Sequence, residues 1–91
     1  MELDELKTFV QIVERGSLSA AARATRQSLP TTSRHLQALE ADLGAPLALR
    51  TTRKLVVTDA GRRLYEHARR ALFELERART GADQNERVVV S

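Results

Sequence analysis

A chain of 91 residues is enough for one small domain and too short for two. Its hydrophobic fraction of 42% supports a core, but aromatics are only 3% (Phe9, Tyr65 and Phe73), so that core is built from Leu, Val and Ala, as in packed helices. The absence of Cys excludes a disulfide framework and a thiolate metal site, and no apolar run approaches the ~18–20 residues that span a bilayer.

The net charge of +3 is unevenly placed. Residues 1–16 sum to −2, with Lys7 and Arg15 against Glu2, Asp4, Glu5 and Glu14, whereas residues 44–58 sum to +3 and hold no acid. Thirteen of the fifteen bases are Arg, the side chain suited to phosphates and base edges. The acidic start is the reverse of the basic opening of a signal peptide, which predicts a cytoplasmic protein.

Along the chain, Leu3, Leu6, Phe9, Val10 and Val13 recur at spacings of three and four, predicting an amphipathic helix over 3–15 that Gly16 stops. Ser17 or Ser19 caps a short second helix through Ala20–Ala24, whose small side chains allow close packing, and residues 26–28 form a tight connection. Ser28 caps a third helix with Pro30 in its first turn. Its apolar stripe is Thr32, Leu36, Leu39 and Leu43, and Gly44 ends it. At about 100° per residue, the opposite face presents Pro30, Arg34, Gln37 and Ala41, flanked by Thr31 and Ser33. That face is small and polar around a single Arg, a surface built to lie against something polar.

Leu47/Leu49 and Leu55/Val57 alternate around the basic tip Thr51-Thr52-Arg53-Lys54, predicting two short strands and a loop. Thr58 caps a long helix from about Asp59 to Thr80, with Gly81 as its natural end. Within it Leu64, Ala68, Ala71, Leu75 and Ala78 recur at 4-3-4-3, with Leu72 beside them, a heptad seam facing a second helix as well as the domain's own core. A helix of that length, about 33 Å, is longer than so small a domain covers. The last residues, Val88-Val89-Val90-Ser91, read as the start of a strand, so the chain has the look of a cut piece.

Catalytic readings find little material. His35 and His67 lie on different helices, and no Ser-His-acid set, Gly-rich phosphate loop or metal-ligand spacing occurs. The residues point to no enzyme, no metal and no cofactor. Recognition of single strands or RNA needs stacking aromatics on a sheet, and there are too few.

The ordered set resembles the LysR-type family of bacterial transcriptional regulators. Leu6-Lys7-Thr8-Phe9 with Val13 is similar to that family's first helix. Gly16-Ser17-Leu18-Ser19-Ala20-Ala21-Ala22 resembles its turn and second helix, and Ser28-Leu29-Pro30-Thr31-Thr32-Ser33-Arg34 with Leu39-Glu40 and Leu43-Gly44 its recognition helix. Leu47-Ala48-Leu49-Arg50 through Arg53, then Val57-Thr58-Asp59-Ala60-Gly61, resembles its wing and the exit into its linker helix. Each piece is weak alone; the order and spacing over residues 3 to about 80 are specific. Thr25 stands where the family usually has Leu, Leu29 where Gln is common, Thr32 where Val is common and Ala48 where Phe is common. Thr25 and Ala48 predict a less tightly filled core.

The resemblance implies a mainly α fold: a winged helix-turn-helix of three helices and a two-stranded wing over 1–58, a dimerising linker helix over 59–81, and over 82–91 a hinge into an effector-binding domain. It implies a nucleoid-associated bacterial homodimer that binds double-stranded DNA at an interrupted palindrome in a promoter, tetrameric at full length. A small-molecule inducer would act only through the further domain, and no membrane is involved. The recognition helix over 28–43 would enter the major groove, with Arg34 on a guanine or a phosphate and Ser28, Leu29, Pro30, Thr31, Ser33 and Gln37 around it. Leu29 would cover a thymine methyl group or fold inward against Thr25 and Thr32. Arg53 would sit in or near the minor groove, with Arg50 and Lys54 on phosphate. Ser17 and Ser19 would touch phosphate or act as caps alone. Leu64, Ala68, Ala71, Leu72, Leu75 and Ala78 would form the dimer seam. Two other readings are the similar winged helix of a molybdate-responsive regulator and a winged helix serving as a protein-interaction module.

Overall fold

The computed structural model describes residues 1–51 and 54–85, with 82–85 described as backbone alone. Four helices and one hairpin follow in the order α1 (Leu3–Arg15), α2 (Leu18–Thr25), α3 (Leu29–Leu43), β1 (Ala48–Arg50), β2 (Leu55–Val57) and α4 (Asp59–Asn85). Each element predicted over residues 3–81 is present, and the strand start read at Val88-Val89-Val90-Ser91 lies outside the described residues.

Helix α1 begins with a reciprocal capping box between Glu2 and Glu5, and Gly16 ends it in the left-handed region at φ 76°, donating its N–H to the Ile12 carbonyl. Helices α2, α3 and α4 all pack on it. Because it is enclosed from several sides, the buried set is Thr8, Phe9, Val10 and Ile12, wider than the predicted stripe, which omitted Ile12 and included the exposed Leu3. Ser17, not Ser19, caps α2, its hydroxyl accepting from the Ala20 N–H at 2.9 Å. Ala21 is fully buried, so a side chain of one carbon sets how closely α2 approaches α1 and α3. Arg26 closes α2 at φ 56°, a left-handed conformation uncommon outside Gly and held here by backbone bonds into the last turn.

The position expected to leave the core loose is instead tied by hydrogen bonds. The Thr25 hydroxyl donates to the Ala21 carbonyl at 2.8 Å. The Gln27 amide nitrogen donates to the Thr25 hydroxyl at 2.6 Å and to the Thr8 hydroxyl at 3.0 Å. Thr8 in turn lies 2.8 Å from His35 Nδ1 on α3. Thr8 is 1% exposed, and a buried hydroxyl without partners would cost about 1–3 kcal/mol. Among the described residues no buried side-chain polar atom lacks a partner. The chain polarises the junction of α1, α2 and α3 without leaving it unsatisfied.

Ser28 caps α3 through the Thr31 N–H at 3.2 Å, and Gly44 ends it at φ 68°. Thr32, Leu36 and Leu39 of the predicted stripe are buried, whereas Leu43 at its end is 44% exposed. The hairpin is antiparallel, pairing Ala48 with Val57, Leu49 with Val56 and Arg50 with Leu55. Ala48 and Leu55 pack against the core, which turns Leu49 and Val56 outward together. The expected grouping of Leu47 with Leu49 fails for that reason: Leu47, fully buried, enters the core just before strand pairing starts.

Thr58 caps α4, accepting from the Gly61 N–H at 3.0 Å. The helix runs through Gly81 to Asn85, past the predicted end. Glycine in a helix interior costs about 1 kcal/mol and stops a helix only when it turns left-handed, as Gly16 and Gly44 do. Against α1, the Tyr65 hydroxyl donates to Glu14 Oε2 at 2.9 Å. That bond, with some desolvation and the Glu14 charge, raises the tyrosine above its usual value near 10. A raised folded value means the tie contributes fully below the unfolded value and fades as pH climbs through the folded one. Tyr65 is the chain's single tyrosine. Its ultraviolet titration is therefore expected to have a midpoint above that of free tyrosine, and Glu14→Gln to lower it; identical midpoints would show the bond absent in solution.

Candidate nucleic-acid interface

The exposed side of α3 starts at its N-terminus, where Ser28, Leu29 and Pro30 are all exposed. The Ser28 hydroxyl donates to the Thr31 hydroxyl at 3.0 Å, and Arg34 Nη2 donates to the same Thr31 oxygen at 3.1 Å. Thr31, itself bonded to the cap residue, thus ties one end of the guanidinium to the first turn, while the Arg34 side chain stays exposed. Ser33 is half-buried on the flank, and Gln37 is exposed one turn on from Arg34. The Pro at the start of the helix brings no N–H and little bulk, which lets a flat or grooved partner approach the backbone.

Between this helix end and the wing runs an open cleft. Its walls are Gly16, Ser17, Leu18 and Ser19 of the first turn, Leu29 of α3, and Arg50, Thr51, Lys54 and Leu55 of the wing. No acidic residue is among them. Ser19 is exposed and Ser17 half-buried in its capping role. At the wing tip the Lys54 N–H donates to the Thr51 hydroxyl at 3.0 Å, and the Thr51 N–H to the Lys54 carbonyl at 2.9 Å. Arg50 and Lys54 are exposed at this closed turn. Arg53 lies outside the described residues. Thr51 belongs to the cleft wall and was not among the predicted contacts; its place in the hairpin turn was the signal.

Leu29 is 45% exposed and lines the cleft, and it is not part of the buried core cluster. The space beside Thr25 is taken by Gln27.

The predicted seam on α4 divides in two. Leu64 packs against the core cluster and Ala68 is 2% exposed, so both are used within the domain. Farther along, Leu72 is half-buried while Ala71, Leu75 and Ala78 are exposed. Leu72 and Leu75 line a groove with Leu3 and Lys7 of α1, and the neighbouring Phe73 is 63% exposed. Among the described residues no helix is long and apolar enough to cross a membrane, and no cluster of His, Asp and Glu could hold a metal ion.

Three helices, the third capped and with an exposed polar face, a two-stranded wing and a long following helix define a winged helix-turn-helix. The description "Bacterial regulatory helix-turn-helix protein, lysR family" matches residues 3–62, and the chain belongs to that family. It is 41% identical over 86 residues to the probable HTH-type transcriptional regulator LtrA of Klebsiella pneumoniae, covering 94% of this chain and 28% of that protein. It is 39% identical over 84 residues to the HTH-type transcriptional regulator IlvY of Escherichia coli K12, covering 92% of this chain and 28% of that one. The chain thus spans little more than a quarter of the length of these relatives, which are regulators and not enzymes. Among solved structures, the BenM DNA-binding domain in complex with catB site 1 DNA superposes with a TM-score of 0.89 at 32% identity, over 93% of this chain and 94% of that one. The CbnR DNA-binding domain–DNA complex does so with a TM-score of 0.85 at 37% identity, over the whole of both chains.

A leucine at position 29 has no hydrogen-bonding group, so its exposed side chain has only apolar contacts to offer, such as the methyl of a thymine. Replacing thymines of a bound half-site one at a time with deoxyuridine is expected to weaken the wild type at one position and to leave Leu29→Ala unaffected there. Uniform insensitivity of the wild type, with a drop of several degrees in the melting temperature of Leu29→Ala, would show the residue to be packing alone.

Proposed function

We propose that this chain binds double-stranded DNA sequence-specifically as a homodimer and thereby regulates transcription. The observation that carries the reading is the acid-free cleft between Leu29 at the start of α3, Ser17 and Ser19 at the start of α2, and Arg50 and Lys54 on the wing, with Pro30 and Arg34 also exposed on α3. An α-helix fits the major groove, and a basic hairpin beside it reaches backbone or the adjacent minor groove. On this reading Arg34 reads a base edge or grips a phosphate, with Ser28, Thr31, Ser33 and Gln37 around it, and Arg50 and Lys54 contact phosphates. Arg53, between them in the sequence, would sit in or near the adjacent minor groove. The DNA complexes of BenM and CbnR support it. A protein-interaction module would present an apolar or acidic face in place of this one.

The homodimer is carried by α4. Its 27 residues extend about 40 Å, in a molecule measuring 58 × 25 × 18 Å. In the far half of the seam, Ala71, Leu75 and Ala78 are exposed and are the part that the domain does not use itself. Two half-sites on one face of the DNA, an interrupted palindrome, follow from a twofold dimer. In a longer protein of the relatives' length, a tetramer and an inducer-responsive domain following α4 are part of the same proposal.

Arg34→Ala is expected to cost about 1–3 kcal/mol on a site selected from a random DNA pool and much less on random DNA. Arg50→Ala is expected to weaken both and to lower the slope of log affinity against log salt by about one. Equal losses for Arg34 on both DNAs would make it a phosphate contact. Binding that ignores salt and sequence would overturn the DNA reading itself.

Charging Leu75 and Ala78, the exposed far end of the seam, together (Leu75→Glu, Ala78→Glu) is expected to give folded monomers by sedimentation. Leu64→Glu is instead expected to lower the melting temperature by unsettling the core. A double variant that stays dimeric would move the interface off α4.

A further inference from the structure

The backbone of Leu47 is the joint between the DNA-facing helix and α4. Its N–H donates to Glu40 Oε2 on α3 at 2.8 Å, and the Ala48 N–H approaches the same oxygen at 3.4 Å. Its carbonyl accepts from the Thr58 N–H at 3.0 Å, at the start of α4. The Thr58 hydroxyl donates to the Pro46 carbonyl at 2.7 Å and accepts from the Gly61 N–H at 3.0 Å. Its side chain is wholly buried, so the segment cannot slide. Gly61 faces this joint directly: a Cβ there would stand 2.1 Å from the Leu47 carbonyl oxygen and 2.8 Å from Val57 Cγ1. The first obstacle is backbone, already engaged by Thr58, and cannot swing aside.

We propose that Gly61 and Thr58 are positioning residues that set the half-site spacing this protein accepts, by fixing the angle between α4 and the α3–wing unit. The proposal rests on the dimeric DNA-binding reading. Its geometry is that of a lever. Ala68, buried, and Tyr65, bonded to Glu14, hold α4 to α1 about one to two turns beyond Gly61. To clear the Leu47 oxygen, a Cβ at 61 must move by about 1 Å, because such contacts under 3.0 Å do not occur. With Ala68 as fulcrum about 10 Å away, the far end of the helix, about 20 Å on the other side, swings by about 2 Å. Twofold symmetry doubles the relative displacement of the two DNA-reading helices, to about the rise of one base pair. The contact surface of each α3 is untouched, so single half-site recognition stays while spacing changes.

The test measures binding of the 91-residue chain to duplexes carrying two inverted copies of the selected half-site, with the spacer lengthened one base pair at a time over a helical turn. A duplex with one half-site is the control. Gly61→Ala is expected to bind the single half-site within about twofold of wild type, and to shift its best spacer by about one base pair or flatten the preference several-fold. Thr58→Val removes the hydroxyl at nearly constant shape and is expected to act in the same direction, also where Gly61→Ala fails to fold, while Thr58→Ser restores the wild-type profile. An unchanged spacing profile in the folded variants overturns the proposal, as does a loss that falls equally on single and paired half-sites. A wild type without any spacing dependence overturns instead the dimer reading beneath it.

Discussion

Two hydrogen bonds to one residue's backbone, Leu47 N–H to Glu40 and Thr58 N–H to the Leu47 carbonyl, hold together everything that follows α3. A two-stranded hairpin is marginal in water by itself. Here each strand has only three residues, so the wing exists because both its ends are pinned. The carboxylate of Glu40 pins the entry from the side of α3, and the cap of α4 pins the exit. A charged acceptor for a backbone N–H is among the stronger hydrogen bonds available, and Leu47 adds burial of a whole side chain to it. The basic tip with Arg50 and Lys54 therefore stands at a defined place relative to Arg34. The same residues make α4 continuous with the wing, so α4 and α3 share a frame.

The core behind this frame follows from its composition. With Phe9 as the one aromatic in the buried cluster, tightness comes from close backbone approach at Ala21 and from interlocked Ile12, Leu18, Leu36 and Leu39. The fold was largely legible because start and stop signals agreed with periodicity: Ser28 and Gly44 bracket α3, and Glu2 and Gly16 bracket α1. Where reading failed, tertiary packing decided. Ile12 falls outside a one-sided stripe because α1 is covered by three neighbours, and Leu49 turns outward because Ala48 and Leu55 take the inner face. Gly81 looked like an end because glycine at a helix terminus and glycine within a helix differ only in backbone angles, which the sequence does not carry.

The candidate site was legible to a different degree. Arg34, Gln37 and Pro30 share a face by helical geometry alone, and the acid-free stretch 44–58 marks the wing in the sequence itself. The long-range partners were not visible. Gln27, Thr8 and His35 are separated by up to 27 positions, and nothing in their local pattern announces a hydrogen-bonded chain. That network changes the meaning of Thr25: the departure from the family's usual Leu exchanges apolar filling for a satisfied polar junction behind the reading helix. Such junctions specify geometry strongly when every member is bonded, as here.

Helix α4 is where stability and assembly meet. Its near half is held by Gly61, Leu64, Tyr65 and Ala68 against the wing and α1. The far half carries the exposed ion pairs Glu74–Arg77 and Glu76–Arg79, continuing Glu66–Arg69 nearer the domain. Exposed pairs one turn apart contribute about 0.3–0.5 kcal/mol each, while ordering one residue's backbone costs about 1–2 kcal/mol. Those pairs cannot by themselves hold the last turns of the helix. In the proposed dimer, burying Leu75 would supply part of the missing free energy, at about 25 cal/mol for each Å² removed from water. On the dimer reading, helix formation in this half and association are a single equilibrium, so the order of the far half rises with protein concentration. In the proposed dimer the two α3 helices would acquire a fixed separation, and paired half-sites, not single ones, would be the ligand that the assembled protein selects.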